Sequence, residues 1–132
     1  MRRAILIAAI VTATPAYAEP AMNGAAFERY ATGKTLYFGN DGVAYGAEQY
    51  LPDRRVIWTF LDGECMEGHW YEQAGQICFV YENAPDTPQC WSFFNESDGV
   101  MARFENDPEA TQLIEVDQSP EPLICPGPRV GV

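Results

Sequence analysis

Positive charge is scarce in this chain. Eight Lys and Arg stand against 19 Asp and Glu in 132 residues, a net charge of −11, and the cations form no run longer than the pairs Arg2-Arg3 and Arg54-Arg55. Affinity for nucleic acid is built by Lys and Arg neutralising phosphates, so the composition excludes that class of partner. Histidine is scarcer still. With His69 alone, a His-rich metal site is ruled out, and any Ser–His–Asp arrangement would have to be assembled around one residue. The serines Ser92, Ser97 and Ser119 do not lie in a Gly-x-Ser-x-Gly elbow. Neither Gly-x-Gly-x-x-Gly nor a phosphate loop occurs, since Gly33-Lys34-Thr35 lacks the upstream glycine of that motif. Beyond Ala18 nothing approaches the ~20 apolar residues that a membrane-spanning helix needs.

What is present begins with an address. Met1-Arg2-Arg3, the apolar stretch from Ala4 to Val11 and the small-residue sequence Ala16-Tyr17-Ala18 have the three parts of a secretory leader, with the cut expected after Ala18. The expected organisation is a leader over 1–18 and one disulfide-bonded β-domain over 19–132, in a periplasmic or secreted protein. Loss of Arg2 and Arg3 leaves six cations against 19 acids, a net charge of −13.

Export to an oxidising space favours disulfides for Cys65, Cys78, Cys90 and Cys125. The four stand a dozen or more residues apart, unlike the closely spaced cysteine pairs of zinc sites, so neither a metal nor a cofactor is expected. Three pairings are open. Cys78 and Cys90 lie in consecutive β-like runs joined by a turn, which favours joining them and leaves Cys125 to tie the C-terminal tail to Cys65. The longer of these loops would contribute about 4 kcal/mol by restricting the unfolded chain.

Asn23 followed by good helix formers, with Phe27 and Tyr30 three residues apart on one face, predicts a short helix between Met22 and Thr32 that ends at Gly33. After it the pattern changes to short aromatic and β-branched runs separated by turns. They cover 35–38, 43–50, 56–60, 64–71, 76–81, 89–94, 100–104 and 112–117, and Asn40-Asp41-Gly42 between the first two is a hairpin signal. Connections this short suit antiparallel neighbours. The fold class is therefore mainly β: an antiparallel meander of about eight short strands, forming a small barrel or a strongly curved sheet, with one N-terminal helix. The proline-rich tail, including Pro126-Gly127-Pro128, reads as an extended strap.

Aromatic residues make up 13% of the chain. Trp58, Phe60, Trp70, Phe79, Trp91, Phe93, Phe104 and Ile114 are the expected core, because a small sheet needs large side chains to bury enough apolar area. The sharper expectation is that some rings, Trp58, Trp70 and Trp91 above all, line a ligand cavity. Glu105, Asp107 and Glu109 cluster after Phe104 but lack the spacing of a calcium loop.

The elements Phe27-x-x-Tyr30-x-x-Gly33-Lys34-Thr35-Leu36, Tyr45-Gly46-x-Glu48-x-Tyr50, Cys65-x-x-Gly68-x-Trp70, Ile77-Cys78-Phe79-x-Tyr81 and Cys90-Trp91-x-Phe93 resemble those of a group of short, secreted, uncharacterised alphaproteobacterial proteins. The likeness covers nearly all of the chain after the leader. It implies a periplasmic, disulfide-bonded β-domain and carries over no catalytic residue.

Three functions compete. The first is a non-enzymatic binding or accessory protein that offers an aromatic surface or pocket to a small apolar ligand. The second is an acidic interaction or inhibitor domain for a cationic protein, whose encounter the negative charge would accelerate. The third is a hydrolase using Glu64, Glu67 or His69, which would need an acid or base held in a cleft.

Overall fold

A computed structural model describes residues 9–15 and 19–125. Most of the expected leader, the cut at Ala18 and the Pro126-Gly127-Pro128 end of the tail lie outside the described residues. Residues 9–15 carry no helix or strand. Among the described residues, no helix is long and apolar enough to cross a membrane.

The chain folds as a closed barrel of eight antiparallel strands in sequence order, preceded by one helix among the described residues. The helix α1 spans Gly24–Ala31, and the strands are β1 (Thr35–Asn40), β2 (Val43–Tyr50), β3 (Arg55–Thr59), β4 (Cys65–Gln73), β5 (Gln76–Tyr81), β6 (Gln89–Glu96), β7 (Gly99–Phe104) and β8 (Leu113–Ser119). Of the two architectures the sequence allows, closure prevails because β8 pairs with β1, Thr35 opposite Ser119, which removes both sheet edges. The β1–β2 hairpin turns on Asp41 and Gly42, both at positive φ (55° and 77°), with Asn40 opposite Val43.

Alternation along the strands sends one set of side chains inward. Leu36, Val56, Trp70, Ile77, Phe79, Phe93, Val100 and Ala102 fill the interior. Trp70, Phe79 and Phe93 are buried as expected, and Trp58 and Trp91 pack against the core while keeping some exposure. Phe104 is half-buried against the Trp91 ring (centroids 4.7 Å apart) and lies outside the core cluster, and two expectations fail outright. Ile114 is 42% exposed because its neighbours Leu113 and Glu115 take the inward positions, and Phe60, 52% exposed, stands just beyond the end of β3.

The helix closes one end. Asn23 caps it by accepting a hydrogen bond from the Ala26 amide (2.8 Å), and Gly24, Phe27 and Ala31 form its buried stripe. Phe27 is fully buried, with its ring against Tyr50, Trp70, Phe79 and Phe93. Polar contacts pin the helix around this ring. The Gly24 amide donates to Glu72, the Tyr30 hydroxyl donates to Glu115, and Arg54 pairs with Glu28 at 3.3 Å while lying over the Trp70 ring. Strand ends 35, 50, 55, 73, 76, 96, 99 and 119 share this closed end; the opposite end of the barrel is open among the described residues.

Two disulfides complete the fold. Cys78 joins Cys90 directly across β5 and β6, and Cys65 joins Cys125. The segment leading to Cys125 crosses the outside of the barrel as the expected strap. The Thr35 hydroxyl donates to the Glu121 carbonyl (2.7 Å) and the Leu123 amide donates to the Gln49 side chain (3.1 Å), so the strap is held at β1, β2 and β4 in turn.

Candidate functional site

A cavity of about 250 Å³ occupies the open end of the barrel. Its floor is made by Tyr50, Phe79 and Phe93, the rings that meet Phe27 on their other side. Trp58, Met66, Trp91 and Leu113 form walls, and Tyr45, Phe60, Asn83 and Gln89 stand around the mouth. Among the described residues no Lys, Arg or His lines it. Helix α1 therefore does two things: it completes the core and turns a tube into a cup.

Local backbone irregularity shapes the mouth. Phe38 lies opposite Gly46 and Gly39 opposite Ala44, which leaves Tyr45 as an extra residue on β2. Such a bulge bends the strand and re-aims a side chain. Here it swings Tyr45 to the rim, where its ring stacks near Phe60 (centroids 6.3 Å apart) and meets Trp58 edge-on. Gly39 permits the bulge, since a Cβ there would sit 1.8 Å from the Val43 carbonyl oxygen. Gly46 makes room for the wall: a Cβ on it would lie 2.3 Å from the Trp58 indole. The glycine thus lets that ring lie flat across β2.

One carboxyl reaches into this aromatic cup. Glu48 is 2% exposed and lines the cavity from β2. The Tyr81 hydroxyl donates to its Oε2 at 2.8 Å. Its Oε1 takes no hydrogen bond from the described residues; since no fully buried side-chain oxygen among them lacks a partner, Oε1 is the atom that faces the cavity. Burial pushes the Glu48 carboxyl up to about 8, against the opposing effect of the Tyr81 hydrogen bond. Tyr50 and Tyr81 are pushed well above the usual phenol range, by burial first and then by the neighbouring Glu48. The site therefore combines aromatic faces, three neutral phenols (Tyr45, Tyr50 and Tyr81) and one acid, without a cation among the described residues.

A second buried acid has a different setting. Glu115, brought inward on β8 just before a bulge at Val116, accepts from the Tyr30 hydroxyl, the Val100 amide (2.8 Å) and the Gln118 side chain (3.0 Å). Both its oxygens accept from the protein, and it serves to tie α1 to β7 and β8.

The three expected tryptophans separate. Trp58 and Trp91 line the cavity, whereas Trp70 lies in the core between Phe27 and Arg54, toward the closed end. Glu67 and His69 point outward from β4, into a shallow groove on the barrel's outer surface beside Arg55 and Val80, and Glu64 lies in the β3–β4 loop. They do not meet the cavity. Among the described residues no three His, Cys, Asp or Glu side chains are grouped so as to hold a metal ion. Sequence reasoning missed Glu48 as a site residue. Its one signal is spacing, since Gly46, Glu48 and Tyr50 share a strand face, but Tyr45, Ala47 and Gln49 make an equally credible inner face. No protein family, curated protein or solved structure matches the chain.

Proposed function

We propose that this protein is a non-enzymatic binding protein, exported to the periplasm or secreted, that holds one small and largely apolar ligand in the open end of its barrel. The observation that carries this reading is the cup itself: aromatic walls around about 250 Å³, open at one end and stopped by α1 at the other. Eight-stranded barrels are just wide enough to be filled by side chains or to hold one small ligand, and here the filling stops at Phe79 and Phe93. The volume lies just below the usual range for ligand pockets, which suits a fragment-sized occupant. Both disulfides fit an exported chain. The barrel's outward positions include exposed Glu67, His69 and Asp117 and its interior is apolar, the reverse of the pattern of a lipid-embedded barrel.

The test is a titration with N-phenyl-1-naphthylamine, an uncharged dye that brightens in apolar sites, against the wild type and Met66→Trp, which adds bulk at the wall. The expected result is saturable one-site binding, weakened at least tenfold in the variant. Equal brightening of both proteins, or none, would contradict the reading.

A second reading, docking of a cationic protein, draws on the same end of the molecule. Val43, Phe60 and Leu61 are exposed there beside Asp41 and Asp62. A partner seated on this rim would cover the mouth and exclude the dye.

A further inference from the structure

Glu48 says more about the occupant than size and greasiness do. An acid placed in an apolar cup is costly unless something compensates it. Glu115 shows how this chain compensates a buried acid for structural purposes: three protein donors surround it. Glu48 is treated differently, with one donor on Oε2 and Oε1 turned to the cavity. Among the described residues, the groups packed around it from other strands bring no positive charge. Leu36 is its partner on β1 and Trp58 its partner on β3, Tyr81 comes from β5, and Tyr50 shares its own strand. Behind Tyr50 stand Tyr30 of α1 and Glu115 of β8, neither of them a cation. Once ionised, this carboxyl finds no charge partner among the described residues.

The walls ask for the same partner. Aromatic faces carry negative potential and attract a cation placed over them, most strongly when water is excluded. Tyr45, Trp58 and Phe60 at the mouth and Trp91 opposite supply such faces on the way in. The net charge of −11 favours the approach of cations over anions.

We propose that the ligand is an organic cation, an ammonium group on an apolar body, with the ammonium against Oε1 of Glu48 and the body against the aromatic walls. This rests on the reading of the cavity as a binding site and adds its ligand class. At neutral pH the incoming cation displaces the proton of Glu48 to solvent, so charge balances as one cation in and one proton out. Tyr45, Tyr50 and Tyr81 are all pushed above the ordinary phenol range by burial and stay neutral, which leaves Glu48 as the group that titrates.

The experiment uses benzyltrimethylammonium, whose charge does not change with pH, and neopentylbenzene, its uncharged isostere, titrated by tryptophan fluorescence at several pH values. With Glu48 half-ionised near pH 8, the cation is expected to bind about 50-fold more tightly at pH 8 than at pH 6. It should also bind more tightly than the isostere at pH 8, and lose its pH dependence in Glu48→Gln. If the isostere binds as well as the cation and neither responds to pH, the ligand class is wrong while the cavity stands as a binding site. If affinity for the cation falls as pH rises, the protonated acid is the recognition group and the proposal is overturned. If neither compound saturates the wild type, the proposal and the binding-site reading fail together.

Discussion

Glu48 and Glu115 are both buried glutamates within one barrel, and their partners set them apart. The second is satisfied by three protein donors, the first by one. For Glu48 the consequence is a stability that depends on pH. In the unfolded chain its carboxyl ionises near 4.5, whereas in the fold it keeps its proton up to about 8. The folded state therefore binds a proton that the unfolded state gives up, and stability falls as pH rises through that window. Below the window Glu48 costs nothing of this kind; above it the full cost is present, on the order of 1.4 kcal/mol for each pH unit crossed. Glu48→Gln removes the titration and keeps an acceptor for Tyr81. Thermal melts from pH 5 to pH 8.5 should show the variant gaining stability steadily on the wild type, and parallel curves would refute the assignment.

At the scale of elements, α1 makes the barrel a cup, and Phe27 is the residue through which it does so. Truncation to alanine removes a ring held by four others, and large-to-small changes of this kind cost about 3–5 kcal/mol. Urea unfolding of Phe27→Ala should show that loss; a change under about 1 kcal/mol would mean the polar pins hold the helix without it. The helix and all eight strands were legible, because Asn23, Gly33, Asp41-Gly42 and the spaced aromatic runs are local signals. The destination of the helix was not. Its partners Glu72 and Glu115 lie 48 and 85 residues along the chain from the groups they hold, and nothing in the pattern around them announces it. The bulge at Tyr45 was also invisible, since an extra residue shows only against the opposite strand. Ile114 misled for a related reason: in Leu113-Ile114-Glu115-Val116 the apolar set suggests an inward Ile114, and the structure spends the inward position on Glu115 because donors await it there.

At the scale of the whole molecule, closure of the sheet, the strap to Cys125 and the helical stopper leave one end of the barrel open among the described residues. The sequence named the three tryptophans as one set; the fold divides them, because alternation places all three inward but Trp70 sits on β4 toward the stopper while Trp58 and Trp91 sit toward the mouth. That division makes them reporters of where a ligand binds. The most direct measurement is the indole N–H region of a ¹⁵N spectrum during titration with benzyltrimethylammonium or neopentylbenzene. The expected result is that the Trp58 and Trp91 signals move together along one saturating curve while Trp70 stays in place. Movement of Trp70 alone, or no movement of Trp58 and Trp91 with either compound, would contradict the claim that the open end of this barrel is a ligand site.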